Sequence, residues 1–277
     1  MRAANSRADH YGVMGNPIGH SKSPLIHRLF ARETDQALEY EAILVPQGEF
    51  PRAAEEFQMR GGRGLNVTLP FKQDAWRWVD RRSERAELAG AVNTIILEPN
   101  SPSRGDNTDG VGLVRDLTIN HDLCVGGRRV LVLGAGGAVR GVLPSLLADF
   151  PETLVIANRT VSKARDLATR FSAFGTLSAC GFENLAGERF DLIINGTAAS
   201  LSGQLPPLPE GLLVPGGGCY DMAYASEPTA FVRWGRHQGA AHSLDGLGML
   251  VEQAAESFYL WRGVRPDTRP VIERLRG

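Results

Sequence analysis

The feature that most constrains the fold is a glycine-rich loop between a strand and a helix. Val130-Leu131-Val132-Leu133 is an apolar run typical of a buried strand, and Gly134-Ala135-Gly136-Gly137-Ala138 follows it at once. Beyond the loop, apolar residues recur at helical spacing, at Val142, Leu143, Leu146 and Leu147. Glycines allow the tight turn and let a pyrophosphate approach the backbone at the helix N-terminus. The sequence therefore predicts a nucleotide-binding unit, although Val139 departs from the strict G-x-G-x-x-G/A pattern.

The next strand indicates which nucleotide is bound. The predicted strand 153–157 ends at Asn158-Arg159-Thr160, where NAD enzymes keep an acid for the ribose hydroxyls, about 20 residues beyond the glycine loop. This chain has no acid there. Arg159, with Thr160 and Lys163 close behind, suits a 2′-phosphate, so we expect NADP rather than NAD. The alternative is that Arg159 is a surface cation at the end of a strand.

Lysine is rare in this chain, and one lysine follows a predicted strand. Because Lys22, Lys72 and Lys163 are the only lysines, 27 of the 30 basic residues are arginine. An ammonium can release its proton near neutral pH in suitable surroundings, whereas a guanidinium cannot. Lys72, which ends the run Asn66-Val67-Thr68-Leu69-Pro70-Phe71-Lys72, is therefore a candidate for proton chemistry. The alternative is a solvated lysine at the start of a helix.

Strands and helices alternate in the first part of the chain, after a polar arm over residues 1 to about 9. The predicted strands are 11–15, 40–45, 64–67 and 93–97, with helices from residue 23, over 50–59 and around 84–88. This order predicts an α/β domain with a mainly parallel sheet, whose ligands gather at the carboxyl ends of strands. Four polar residues lie just beyond such ends: Ser21, Asn66, Thr68 and Lys72.

The loop before the first helix has the chemistry of an anion site. Ser23-Pro24 predicts a helix start in which serine caps the helix and proline occupies the first turn. Its buried stripe is predicted at Leu25, Ile26, Leu29 and Phe30. The backbone N–H groups and the hydroxyls of Ser21 and Ser23 favour an anion at this helix N-terminus. Local capping is the alternative for Ser23.

Two further polar residues lie near the predicted domain boundaries. Asp109 follows Asn107-Thr108 and precedes a helix reaching roughly to Leu117, so its alternative role is a helix N-cap. Gln253 lies off the apolar stripe of a late helix and could reach a ligand, although an exposed glutamine is the default. We expect residues 1–109 with 248–277 to bind substrate, and 110–247 to form a Rossmann-type dinucleotide-binding domain.

The composition excludes several classes of protein. Hydrophobic content of 43%, charged content of 22% and a net charge of −1 are typical of a globular protein without a strong field for nucleic acid or membrane. The three cysteines form no C-x-x-C pair, and no His/Cys cluster has metal-ligand spacing, so we expect no metal. We find no signal peptide or membrane span, and expect a reducing, cytoplasmic compartment.

Taken together, the motifs strongly resemble those of the shikimate dehydrogenase family over nearly the whole chain. In chain order the matching segments are 15–24, Asn66 to Lys72, Ala91-Val92-Asn93-Thr94, 105–110, Gly134 to Ala138, Asn158-Arg159-Thr160, Tyr220-Asp221-Met222, and Asp245 to Gln253. The family's loop has a Gly-Ala-Gly-Gly-Ala form, which accounts for Val139. One departure is 195–200, where the family usually has a more serine-rich run.

The resemblance implies a two-domain, NADP-dependent oxidoreductase that interconverts 3-dehydroshikimate and shikimate on the pathway to chorismate and the aromatic amino acids. On the substrate side it implies that the carboxylate is held by Ser21, Ser23 and Tyr224, and the ring hydroxyls by Asn66, Thr68, Asn93, Asp109 and Gln253. It implies a catalytic pair of Lys72 and Asp109, in which the carboxylate keeps the ammonium protonated. On the cofactor side it implies that the glycine loop binds the pyrophosphate and that residues 158–163 bind the adenosine ribose and its phosphate. It also implies that Met222 and Gly246 lie near the nicotinamide. Glu84 is a further cofactor-side candidate.

Two other functions fit part of the pattern. A quinate/shikimate dehydrogenase of broader substrate and cofactor use has the same fold, but Ser21 with Ser23 and the absence of an acid near Arg159 favour the NADP enzyme. A non-catalytic nucleotide-binding or regulatory module would be expected to lack Lys72 or Asp109, and both are present. The sequence leaves open whether the protein is a monomer or a homodimer, and what Lys22 contacts.

Overall fold

The computed structural model describes residues 8–277, which form two compact units. The first unit contains residues 8–108 together with 251–275, and the second contains 109–250. The predicted polar arm lies mostly outside the described residues. Among residues 8–277, no helix has both the length and the apolar character needed to cross a membrane. The predicted ranges, 1–109 with 248–277 and 110–247, divide the chain near the same places, and the ligand assigned to each range stays a prediction.

The first unit is built on a six-stranded sheet with the order β2-β1-β3-β5-β6-β4. Its strands are β1 (Asp9–Gly15), β2 (Leu38–Leu44), β3 (Gly62–Val67), β4 (Arg81–Arg82), β5 (Thr94–Ile96) and β6 (Arg104–Asp106). Its first helices are α1 (Ser23–Glu33), α2 (Phe50–Met59), α3 (Lys72–Trp78) and α4 (Glu84–Ala89). β1 pairs in parallel with β2 and β3, and β4 with β6, whereas β5 is antiparallel to both its neighbours.

The second unit contains a six-stranded, entirely parallel sheet with the order β12-β11-β10-β7-β8-β9. Its elements are α5 (Asp109–Arg115), β7 (Arg129–Leu133), α6 (Gly137–Ala148), β8 (Thr153–Ala157), α7 (Val161–Phe171), β9 (Leu177–Cys180), β10 (Phe190–Asn195), β11 (Leu213–Asp221), α8 (Ala230–His237) and β12 (His242–Leu244). The chain then continues into α9 (Leu247–Arg262) and α10 (Arg269–Arg276). The predicted α/β class with a Rossmann-type unit is confirmed.

Each sheet is held by apolar side chains that the helices bring against it. In the first unit, Phe50 and Phe57 of α2 are fully buried with Phe71, beside Leu65 of β3. In the second unit, β7 and β10 contribute fully buried Leu131 and Ile193 to the core. Burial of whole aromatic and aliphatic side chains contributes about 1.5–3 kcal/mol each, which makes both sheets stable platforms for the loops at their carboxyl ends.

Two expectations for α1 are wrong. The N-cap is Lys22, not Ser23, and the Lys22 side chain makes no capping hydrogen bond; Ser23 is the first residue of the helix, so its hydroxyl lies one position too far along to cap. Leu25 is exposed rather than part of the stripe, and His27 is buried in its place. The apolar pattern did not include His27, because a histidine is buried only when tertiary contacts satisfy it.

Candidate functional site

A buried polar network occupies the carboxyl end of β3 in the first unit. Asn66 is its centre: its carbonyl Oδ1 accepts from Tyr40 Oη at 2.7 Å and lies 3.1 Å from His27 Nε2. Its Nδ2 lies 3.0 Å from Ser257 Oγ and 3.2 Å from both Thr94 Oγ1 and the Asn93 carbonyl. Burial lowers the pKa of His27 to about 3, only partly offset by the hydrogen bond with Asn66, so its imidazole is neutral.

The network continues to two of the predicted substrate residues. Asn93 donates from Nδ2 to Thr108 Oγ1 at 3.0 Å, and its Oδ1 accepts from the Thr108 backbone N–H at 2.9 Å. Thr108 Oγ1 lies 3.5 Å from Gln253 Oε1. Asn93 is buried and Gln253 is half-buried, so the default reading of Gln253 as an exposed helical residue is wrong. The structure thus brings Asn66, Asn93 and Gln253 together.

The other predicted substrate residues of the first unit lie on two neighbouring loops. Ser21 is half-buried, and its Oγ accepts from the backbone N–H of Ser23 at 3.3 Å. Thr68 N donates to the Met14 carbonyl at 2.9 Å, which joins the loop after β3 to the end of β1. Gly15 is required there, because a Cβ would lie 2.5 Å from the Thr68 methyl. The loops carrying Ser21 and Thr68 therefore begin at adjacent strand ends.

Lys72 is half-buried and is the first residue of α3. Its backbone carbonyl accepts from the Val92 N–H at 2.9 Å, which fixes the start of the helix against the loop before β5. Asp109 is buried, 9% exposed, and begins α5 at the start of the second unit. Their pairing stays a prediction. Glu84 is exposed at the start of α4, with Ser83 as the helix cap.

In the second unit, the glycine loop forms a cradle that fits a pyrophosphate. Gly136, Gly137 and Ala138 are exposed, and a Cβ added at either glycine would meet nothing within 4 Å. Gly136 is the N-cap of α6 and makes no side-chain capping hydrogen bond. Open backbone N–H groups at the positive end of a helix dipole favour an anion. Ala135 is half-buried in the same turn.

The position of Val139 is explained by Gly196, the residue that follows the neighbouring strand β10. Val139 is fully buried, and its Cγ2 lies 2.5 Å from where a Cβ would stand at Gly196. Gly134, at φ +105°, packs against the same residue, since its own Cβ would approach the Gly196 carbonyl to 3.1 Å. The close approach that the usual fingerprint obtains from a small helix residue is here supplied by Gly196.

The end of β8 presents cationic and polar groups to solvent. Arg159, Thr160 and Lys163 are exposed, and half-buried Asn158 donates to the Thr160 carbonyl at 2.9 Å. Thr160 is the N-cap of α7, again without a side-chain hydrogen bond. A second helix N-terminus with two adjacent cations has the electrostatics that a ribose phosphate requires.

A buried hydrogen-bonded turn holds the end of β11. Asp221 is fully buried and accepts from Asn195 Nδ2 at 3.1 Å, Thr229 Oγ1 at 2.6 Å and the Ala223 N–H at 3.2 Å. This turn carries Met222, whose backbone contacts Gly246 so closely that no Cβ fits there. It also carries half-buried Tyr224, whose phenol pKa is raised by burial. Met222 and Tyr224 therefore lie on one hydrogen-bonded turn, and Gly246 packs against it.

Sequence reasoning missed the residues that support these groups. His27, Tyr40, Thr94 and Ser257 join Asn66, while Asn195 and Asp221 fix the turn before Tyr224. Thr94 and Asp221 lie inside two of the motifs that resemble the family, Ala91 to Thr94 and Tyr220 to Met222, so the sequence did mark these two positions. Nothing local distinguishes Ser257, since a serine on a helix is ordinary.

Comparison with known proteins finds one family throughout the chain. Residues 13–95 match the model of the shikimate dehydrogenase substrate binding domain, 119–202 that of shikimate / quinate 5-dehydrogenase, and 246–276 that of the shikimate 5'-dehydrogenase C-terminal domain. Together these matches cover more than half of the chain.

Individual members of this family are similar to this chain over nearly the full length of both proteins. Shikimate dehydrogenase (NADP(+)) of Alkalilimnicola ehrlichii is 61% identical, over 97% of this chain and 98% of its own, and that of Methylococcus capsulatus is 58% identical, over 98% and 97%. Among solved structures, shikimate 5-dehydrogenase of Thermus thermophilus in complex with NADP(H) and shikimate is 32% identical, with a TM-score of 0.86, over 97% of this chain and 98% of that chain.

Proposed function

The chain belongs to the shikimate dehydrogenase family, and from that premise we propose that it reduces 3-dehydroshikimate to shikimate with NADPH, reversibly. It is an oxidoreductase of the shikimate pathway, which leads to chorismate and the aromatic amino acids, and its cofactor is NADP. The observation that carries the proposal is the 61% identity, over 97% of the chain, to a protein of that name. The open glycine cradle and the cations beyond β8 support it independently.

The second unit has the groups that NADP requires. We assign the pyrophosphate to Gly134, Ala135, Gly136, Gly137 and Ala138, because that loop offers open N–H groups at a helix start. We assign the adenosine ribose and its 2′-phosphate to Asn158, Arg159, Thr160 and Lys163. Met222 and Gly246, in mutual contact, are assigned to the nicotinamide side. When bound, the reduced nicotinamide supplies a hydride to the ketone carbon of the substrate.

The substrate groups are distributed between hydroxyls and amides. Ser21, Ser23 and Tyr224 are assigned to the carboxylate, since hydroxyl donors stabilise an anion. Thr68, Asn93, Asp109 and Gln253 are assigned to the ring hydroxyls. Asn66 has the same assignment by resemblance, but its amide already lies within hydrogen-bond distance of five protein atoms.

Lys72 is the proposed proton donor in the reduction. As the ketone is reduced, its oxygen becomes an alkoxide, and an ammonium stabilises that charge by donating a hydrogen bond or a proton. Asp109 is the proposed partner of Lys72 in this step.

Initial rates with shikimate and quinate, each with NADP and NAD, test the proposed function. We expect shikimate with NADP to give the highest kcat/KM. Comparable rates with quinate or NAD would instead indicate a quinate/shikimate dehydrogenase, and no turnover in any combination would indicate a nucleotide-binding regulatory module. The proposed state is a cytoplasmic monomer or homodimer, which sedimentation of the full chain distinguishes.

A further inference from the structure

Asn66 has no hydrogen-bonding capacity left for a ligand. Its carbonyl oxygen has two lone pairs and lies within hydrogen-bond distance of two groups, Tyr40 Oη and His27 Nε2. Its amide nitrogen has two hydrogens and three acceptors within 3.2 Å, on Asn93, Thr94 and Ser257. A substrate hydroxyl could bond Asn66 only by displacing one of these buried partners, which would leave that partner unsatisfied.

His27 is a fully buried member of this network, and its contact with Asn66 fixes its tautomer. A carbonyl oxygen only accepts, so the contact with Asn66 Oδ1 requires the proton on Nε2. Nδ1 is then unprotonated, and this buried atom has no hydrogen-bond partner among residues 8–277. The ring is stacked on Tyr40, with centroids 4.2 Å apart and planes 9° from parallel. Stacking and the donated bond together fix the orientation of the imidazole.

The network connects groups assigned to opposite ends of the substrate. Through Tyr40 it reaches the neighbourhood of Ser23: burial raises the pKa of the Tyr40 phenol, and the nearby Ser23 hydroxyl offsets part of that rise. Through Asn66 Nδ2 it reaches the Asn93 carbonyl, and through Ser257, whose Oγ donates to the Gln253 carbonyl at 3.0 Å, it reaches the helix turn that carries Gln253. Ser23 is assigned to the carboxylate, and Asn93 and Gln253 to the ring hydroxyls.

We propose that Asn66 and His27 are positioning residues of the substrate site, and that Asn66 does not itself bind a ring hydroxyl. Asn66 fixes the spacing between the carboxylate-binding loop and the hydroxyl-binding residues, and His27 fixes the orientation of the Asn66 amide. This proposal rests on the proposed function, because the substrate assignments of Ser23, Asn93 and Gln253 come from it. It predicts that disturbing His27, which touches no assigned ligand group, weakens substrate binding selectively.

Two substitutions of His27 separate the hydrogen bond from the packing. His27→Phe keeps an aromatic ring against Tyr40 but removes the donor to Asn66, whereas the amide of His27→Gln can place a donor at the position of Nε2. We expect His27→Phe to raise KM for shikimate about 5- to 10-fold, the value of one buried hydrogen bond, and to change KM for NADP less than about 2-fold. In His27→Gln, KM for shikimate should stay close to the wild-type value.

Equal changes in both KM values, unchanged KM values, or failure of His27→Gln to restore binding would overturn the proposal, since a purely structural role predicts these results. Because His27→Phe could fail to fold, the wild-type chain provides a second measurement. Long-range ¹H–¹⁵N spectra of the His27 ring should show Nε2 protonated and Nδ1 unprotonated at pH 7, and the opposite tautomer would refute the role of His27 in orienting the Asn66 amide. The spectra need no turnover, so they remain decisive if wild-type protein fails to oxidise shikimate, a result that would refute the proposed function instead.

Discussion

Lowering the pH from 8 to 5 should reduce the free energy of unfolding by about 2 kcal/mol through one side chain, His27. The folded state holds this imidazole neutral: burial lowers its pKa from 6.5 to about 3, and the Asn66 bond offsets only part of that shift. The aromatic groups around it, Tyr40, Phe30, Phe258 and Trp261, carry no charge that would stabilise an imidazolium.

The direction follows from proton binding in the two states. Between pH 6.5 and about 3 the unfolded chain binds a proton at His27 that the folded chain does not. The stabilising contribution is therefore fully present above pH 6.5 and is lost as the pH falls toward 3. At pH 5 the unfolded histidine is about 97% protonated, and the free energy of unfolding is lower than at pH 8 by about 2 kcal/mol. At pH 4 the loss is about 3 kcal/mol.

The assay is urea unfolding at pH 8 and pH 5, followed by tryptophan fluorescence. Trp76, Trp78 and Trp261 are three of the four tryptophans and belong to the unit that contains His27. The His27→Gln variant has a different stability at both pH values but lacks this titration. Its decrease in the free energy of unfolding between pH 8 and pH 5 should therefore be smaller than that of wild type by about 2 kcal/mol. His237→Gln, at an exposed position of α8, controls for loss of a histidine as such. Equal losses in wild type and His27→Gln would refute the reasoning.

Three further predictions concern the remaining parts of the site. Gly196→Ala should destabilise the protein by about 1–3 kcal/mol, because the new methyl group meets Val139. Gly137→Ala should instead leave thermal stability unchanged and weaken NADPH binding, because the space around Gly137 is open. Loss of stability in Gly137→Ala would contradict the open cradle. Arg159→Ala should raise KM for NADPH much more than KM for NADH, and equal increases would remove Arg159 from the phosphate site. Lys72→Ala should lower kcat by about 100-fold or more with a smaller effect on substrate binding, and near-normal turnover would exclude Lys72 as the proton donor.

Much of the fold could be predicted because its signals are local. The helix over 50–59 and the strand over 153–157 have the predicted bounds, since hydrophobic periodicity and the adjacent turns are encoded within a dozen residues. The short strands β4 and β6, of two and three residues, and β9, of four, were not predicted. Strands of this length carry too little periodic pattern, and their pairing is decided by neighbours distant in sequence.

The features of the site also separate into those that local sequence encodes and those that tertiary contacts decide. The sequence by itself determined the family, the cofactor and the loops at the strand ends, because phosphate cradles and turns depend on residue types at fixed local spacing. It did not determine that Asn66 is enclosed by partners up to 191 residues away, that His27 is buried, or that Gly196 makes room for Val139. Hydrogen-bond saturation and close packing belong to groups that only folding brings together, so the tertiary structure alone decided which polar residues remain available to a substrate and which hold the others in place.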